Sequence, residues 1–258
     1  MSIISIQDSL NDQYEKLLFE RDALRKDAAS IQLAYIRTFG LLINEAFAAK
    51  IACIRLKKQI AFYQAALNQG KELSMDEVDQ YTKQVMQAYQ KQLHEMYEKT
   101  SMAMQCKVSS EATVLAVKQK YRQLAKQVHP DLHPEFVNDL RYKELWSQIV
   151  DAYHANDLSR LEELEFLMHQ IEMDHSSLSL EVPNIQEKIH ALQDEIPTII
   201  SSDPYQYHTI LENDDLKEEK VNELKEEIKI YSQYKEELQK VFEKIITNNK
   251  VKEPWQTN

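Results

Sequence analysis

Residues 117–134 read VKQKYRQLAKQVHPDLHP, and they carry a helical pattern that stops at a His-Pro-Asp triplet. At about 100° per residue, the apolar side chains from residue 109 onward fall within one arc of a helix. The residues on this arc are Val114, Val117, Tyr121, Leu124, Ala125 and Val128. A basic stripe beside the arc consists of Lys118, Arg122 and Lys126. The stretch therefore predicts a helix with one face for a core and a neighbouring cationic face.

Pro130 decides where this helix ends. A proline disfavours helical geometry at the residue before it and has no amide N–H to donate. The helix should therefore stop at His129, and the next residues should form a loop. We expect this loop to expose the imidazole of His129 and the carboxylate of Asp131 beside the basic stripe.

The composition of the chain predicts an all-α fold. Only two glycines and six prolines occur among the 258 residues, and runs of Val, Ile and Thr are scarce. Turn-rich β architectures would lack the residues that form their turns. A hydrophobic content of 43% is enough for a buried core. We expect an elongated arrangement in which long helices or coiled-coil arms flank a central helix pair.

The net charge of -11 is unevenly distributed along the chain. Residues 1–150 carry 20 basic and 18 acidic side chains, whereas residues 151–258 carry 11 and 24. No basic face is extensive enough to attract a phosphate backbone, and the acidic part would repel one. We therefore expect no nucleic-acid partner.

The two cysteines and the apolar runs indicate the cellular compartment of the protein. Cys53 and Cys106 lack the spacing of a CxxC metal site and the density of a disulfide framework, which suits a reducing environment. The first residues lack the features of a signal peptide, and no apolar run has a membrane-spanning length. These features favour a cytoplasmic protein that is not inserted in a membrane.

The N-terminal region predicts long helices. An amphipathic helix should relax near residues 27–30, and a second apolar stripe should continue to a left-handed C-cap at Gly70. Gly40 lies within this stripe and favours a close helix–helix contact. Ser74 and Glu77 have the spacing of a capping box, which predicts a further helix from about Met75.

The C-terminal region predicts another helix after Asn156 or Asp157, then a break, and then a helix over NIQEKIHALQDEI. Pro197 and Pro204 are interpreted as part of a connector. A long charged helix from about Asp215 then has the pattern of an antiparallel hairpin or coiled-coil arm. The resulting division is an N-terminal region at 1–105, a central segment at 106–172 and an acidic C-terminal region at 173–258.

The central segment resembles the J domain of DnaJ-type co-chaperones. In that family a Tyr-Arg-x-Leu-Ala run precedes His-Pro-Asp, and this chain reads YRQLAKQVHPD. The later run WSQIVDAY places Trp146, Ile149, Ala152 and Tyr153 at the spacing of a J domain's third helix. The resemblance covers about residues 109–158 and extends to long helical bacterial J-domain-containing proteins.

The resemblance implies a binding role for the basic stripe and the triplet. In J domains these residues bind the ATPase side of a DnaK-class chaperone and promote its ATP hydrolysis. The positions that carry this implication are Lys118, Arg122, Lys126, His129, Pro130 and Asp131. The family's short first helix with its Tyr-x-x-Leu-Gly signature is missing, so we expect the helix from Met75 to pack on Tyr121 and Leu124.

Two other interpretations compete with the co-chaperone. The J-like segment could be a structural module in which the triplet only stops a helix, while the helical arms organise partners or copies of the chain. An enzyme would need a cluster such as His129, Asp131 and His133, but no H-E-x-x-H motif or glycine-rich phosphate loop supports one. We therefore predict a protein that is not an enzyme and that uses no metal or cofactor.

Overall fold

The structure, a computed structural model, describes residues 3–71, 73–170 and 182–250. The described residues are all-α, which confirms the predicted fold class, and they contain no strand. The helices are α1 (Ile3–Asn68), α2 (Met75–Gln105), α3 (Glu111–Val128), α4 (Leu140–Ala155), α5 (Leu158–Gln170), α6 (Ile185–Ser201), α7 (Tyr207–Glu212) and α8 (Asp214–Lys250), with a 3₁₀ turn at Pro134–Phe136. Within these ranges no helix is both long and apolar enough to cross a bilayer.

The chain forms two compact units, each built from segments that are distant in the sequence. Unit 1 comprises the described parts of Met1–Gln32 and Lys107–Tyr207, and unit 2 those of Leu33–Cys106 and His208–Asn258. These units differ from the consecutive regions expected at 1–105, 106–172 and 173–258. The break predicted at residues 175–184 lies outside the described residues except for 182–184, which precede α6.

Helix α1 continues through residues 27–30, so the predicted relaxation there is wrong. Ala28 is buried at this point, and the Asp27 carboxylate is paired with the ammonium of Lys118 on α3. Because the polar side chain has a partner and the apolar face is covered, nothing interrupts the helix.

The core of unit 1 includes α1, which corrects the prediction that the helix from Met75 would pack on Tyr121 and Leu124. Helix α2 belongs to the other unit. The buried side chains that α1 adds to the cluster around Tyr121 and Leu124 are Tyr14, Leu18 and Phe19. The N-terminal part of α1 thus provides the packing that we assigned to α2.

Helix α6 contains Pro197, which corrects the interpretation of this residue as part of a connector. Ile189, Leu192 and Ile196 are buried along one face of the helix. This apolar face continues past the proline to the half-buried Ile199. The packing of that face maintains the helix although Pro197 has no amide N–H to donate.

Two predicted helix caps and a close contact are confirmed in unit 2. Ser74 and Glu77 form a reciprocal capping box at the start of α2, and Gly70 follows α1 with a positive φ of 68°. A Cβ atom on Gly40 would lie 2.8 Å from Oγ1 of Thr100. The Thr100 hydroxyl is fixed because it donates to Met96 O and accepts from Asn44 Nδ2. Gly40 therefore lets α1 and α2 approach closely.

Gly40→Ala should lower the free energy of unfolding by about 1–2 kcal/mol, because the added methyl group overpacks the contact with Thr100. Urea denaturation followed by circular dichroism would measure the change. In a Thr100→Ala background most of the loss should disappear. Gly70→Ala is the matched control, since its new Cβ would meet no atom within 4 Å and its strain cost should not depend on Thr100. Equal effects of Gly40→Ala in both backgrounds would contradict the contact.

Candidate partner-binding site

Helices α3 and α4 form a hairpin whose loop carries the His-Pro-Asp triplet. Helix α3 starts at the N-cap Ser110, whose hydroxyl accepts from the amide of Thr113. It ends at Val128, and His129 has the extended backbone that Pro130 requires. The amides of Leu132 and His133 then donate to His129 O, which closes a tight turn before the 3₁₀ segment.

The packing beneath the loop joins α3 to α4. Tyr121, Leu124 and Ile149 are buried in one core, and Trp146 packs against it while partly exposed. The rings of Tyr121 and Tyr153 are stacked with centroids 3.8 Å apart, and the Tyr121 and Trp146 ring centroids lie 5.9 Å apart. These contacts hold the end of α3 against α4.

The prediction of an exposed imidazole at His129 is wrong. Only 4% of the residue is accessible, because its ring packs edge-on against Trp146 with centroids 4.5 Å apart. Nδ1 of His129 accepts a hydrogen bond of 3.0 Å from the amide of Asp131. This bond leaves the ring proton at Nε2, which faces Oδ2 of Asp22 at 3.5 Å. His129 therefore fixes the shape of the loop from inside.

Asp22 on α1 is the acceptor at the centre of this region. Its carboxylate accepts from the Tyr121 hydroxyl at 2.7 Å and pairs with the Arg21 guanidinium at 2.8 Å. Burial alone would raise the pKa of Asp22, but the hydrogen bonds from His129 and Arg21 and the charge of Arg21 outweigh it and lower that pKa to about 2. Asp22 is therefore ionised at neutral pH and joins α1 to both α3 and the His-Pro-Asp loop.

Asp131 is the member of the triplet that reaches solvent. Its side chain is 44% exposed, and one carboxylate oxygen lies 3.5 Å from Nη1 of Arg21. The exposure predicted for Asp131 is thus partial, since one side of the carboxylate faces α1. Pro130 beside it is half-buried.

The predicted basic stripe is partly neutralised by α1. Lys118 Nζ lies 2.7 Å from the Asp27 carboxylate, and Lys126 Nζ lies 2.5 Å from that of Glu15. Arg122 is exposed and makes no ion pair with any residue of the described ranges. The stripe exists as predicted on α3, but two of its three charges already have acidic partners.

Lys26 is a functional candidate that the sequence did not reveal. It is only 2% exposed, its ammonium donates to Tyr153 O, and Nζ lies 3.9 Å from the centroid of the Tyr153 ring. Burial is the main cause that lowers the pKa of Lys26, to about 8, and the charge of Lys118 adds to it. The available signal was spacing, since Asp22 and Lys26 follow Leu18 at intervals of four on the inner face of α1.

No metal cluster is found where side chains are described. No group of three or more His, Cys, Asp or Glu residues in those ranges is arranged to hold an ion. The His133 ring contacts the Glu135 carboxylate and Lys126 O, while His129 is held by Asp131 and Asp22.

Comparisons with family models, with curated proteins and with solved structures give no match to this chain.

Trp146→Ala should lower the free energy of unfolding by about 2–3 kcal/mol, below the cost for a fully buried tryptophan because this ring is partly exposed. The expected loss comes from its contacts with Tyr121 and His129. Chemical denaturation of the full chain would measure it, with Trp146→Phe as a control that keeps an aromatic ring. An unchanged unfolding midpoint in Trp146→Ala would show that the ring does not hold the hairpin together.

The lowered pKa of Lys26 predicts a specific pH dependence of stability. The unfolded chain should hold the Lys26 proton up to the ordinary pKa of 10.5, whereas the folded chain releases it near pH 8. Because the unfolded state binds more protons between these values, the stability of the wild type relative to Lys26→Met should rise across that range by about 2–3 kcal/mol. Urea titrations of both proteins from pH 7 to 10.5 measure this difference. A difference that does not vary with pH would contradict the lowered pKa of Lys26.

Proposed function

We propose that this protein is a J-domain-like co-chaperone that binds a DnaK-class ATPase and stimulates its ATP hydrolysis. The observation that supports the proposal most directly is the position of Asp131. Its half-exposed carboxylate lies in the tight turn that ends the basic helix α3, above a packed α3–α4 hairpin. This is the arrangement that the resemblance to J domains implies.

The chemistry of the surface suits an acidic partner that carries an arginine. Arg122 and the half-exposed Lys126 can steer an acidic surface toward α3. Asp131 can then accept charge-assisted hydrogen bonds from a guanidinium of the partner. Binding of this kind needs no catalytic group in the chain itself. The proposal includes a cytoplasmic location, where the protein would meet the chaperone that it serves.

A second candidate function is a helical interaction module that does not activate a chaperone. The observation that favours it is that His129, Lys118 and Lys126 each have a partner on α1, so all three can be explained as structural residues. The helical segments of unit 2 would then bind partners or a second copy of the chain. The two functions make different predictions for Asp131. The co-chaperone needs its carboxylate to stimulate the chaperone, whereas the interaction module needs the residue only for its structure.

Asp131→Asn should reduce stimulation of the host's DnaK-class ATPase at least tenfold while leaving helicity and the unfolding midpoint unchanged. The shape of the side chain is kept, and Arg21 stays paired with Asp22. Steady-state ATP turnover at saturating concentrations of the protein and low salt is the measurement.

Asp194→Asn is the matched control, because Asp194 is exposed on α6 and makes no ion pair with any residue that the structure describes. It should stimulate as the wild type does. If the wild type neither binds nor stimulates the chaperone under these conditions, the co-chaperone proposal is wrong. Equal stimulation by Asp131→Asn and the wild type would likewise exclude the role given to the carboxylate.

A further inference from the structure

Helix α1 presents to the J-like surface a set of charges that complements it. Glu15 pairs with Lys126, and Asp27 pairs with Lys118. Arg21, midway between these two acids, lies 3.5 Å from Asp131. Three of the six residues assigned to partner binding therefore already make ion pairs within unit 1.

The remaining basic residue of the stripe faces the same part of α1. Arg122 and Lys126 line a groove together with Asp12, Glu15 and Glu20 of α1. Apart from Lys16, the charged side chains that α1 contributes to this groove are acidic, and they include Asp27. The groove thus places an excess of carboxylates opposite the cations of α3.

Apolar packing holds these charges in place. Tyr14, Leu18 and Phe19 are buried in the core shared with α3 and α4. Charged groups held within the same folded unit act at a high effective concentration. They therefore occupy the residues of the partner-binding surface even where each ion pair is weak. A partner must outcompete it at every encounter.

We propose that residues 15–27 of α1 are an internal competitor for the partner-binding surface, and that they reduce the affinity of this surface for the chaperone. This inference rests on the proposed function and adds to it the regulation of the same site. The competitor's charges are part of the folded structure, so they set the affinity without any chemical modification.

The competitor also specifies the chemistry of the partner. Glu15 and Asp27 of α1 pair with Lys126 and Lys118 of α3, and Arg21 faces the Asp131 carboxylate in the loop. A surface that replaces them should present a carboxylate to each of the two lysines and a guanidinium to Asp131. Such a surface would satisfy Lys126, Asp131 and Lys118 together.

The test neutralises the two acids of the competitor and leaves its apolar residues intact. Glu15→Gln combined with Asp27→Asn should tighten binding to the DnaK-class chaperone about tenfold at low salt, and the gain should shrink as salt rises. Fluorescence anisotropy gives the affinity, and ATP turnover at subsaturating protein gives a second reading of the same change.

Two controls separate competition from a general change of charge. Glu162→Gln with Asp194→Asn changes the net charge equally at exposed positions of unit 1, and its affinity should equal that of the wild type. In a Lys118→Gln/Lys126→Gln background, Glu15→Gln/Asp27→Asn should give no gain in affinity, because the two lysine charges with which the competitor pairs are gone. A gain in that background would overturn the inference.

The outcomes also distinguish this inference from the function on which it rests. If the wild type and Glu15→Gln/Asp27→Asn bind equally while Asp131→Asn loses stimulation, the competitor is refuted and the co-chaperone stands. If none of these proteins binds or stimulates the chaperone, the proposed function is refuted and the competitor with it. A tighter complex for the double variant alone, with the charge-matched control unchanged, supports both.

Discussion

The largely buried carboxylate of Asp22 is the interaction on which the rest of unit 1 depends. It accepts from the Tyr121 hydroxyl, pairs with Arg21 and faces Nε2 of His129. A buried charge is tolerated only when its lone pairs are satisfied, and removing one member of such a network costs about 3–5 kcal/mol. Asp22 therefore fixes α1, the end of α3 and the His-Pro-Asp loop relative to one another.

The features that could be predicted from the sequence depend on local signals. The reciprocal cap of Ser74 and Glu77, the left-handed Gly70 and the helix stop at Pro130 each involve a few neighbouring residues. The shared core of Tyr121, Leu124 and Ile149 was predictable because helical periodicity places apolar residues on one face, and the J-like spacing indicated which helices meet. Gly40 was predictable because a glycine among apolar helical residues favours a close approach.

The features that could not be predicted depend on contacts between distant segments. Asp22 and Tyr121 are 99 positions apart, and Lys26 and Tyr153 are 127 positions apart. Charged residues on a helix are usually interpreted as solvent-exposed, so the spacing of Asp22 and Lys26 at intervals of four after Leu18 did not by itself predict that they lie on the inner face. His129 was expected in solvent because Pro130 starts a loop there, but its ring is covered by Trp146 and its Nδ1 accepts from the Asp131 amide.

The interactions that fix the position of α1 differ from the ion pairs that its exposed charges make. Burial of Tyr14, Leu18 and Phe19 contributes about 1.5–3 kcal/mol for each side chain, whereas a half-exposed ion pair such as Lys126 with Glu15 contributes about 0–1 kcal/mol. The apolar residues and the Asp22 network thus determine where α1 lies, and Glu15 and Asp27 add little to the fold. Because these two acids are nearly dispensable for stability, the role that we propose for them as competitors can be changed by substitution without unfolding unit 1.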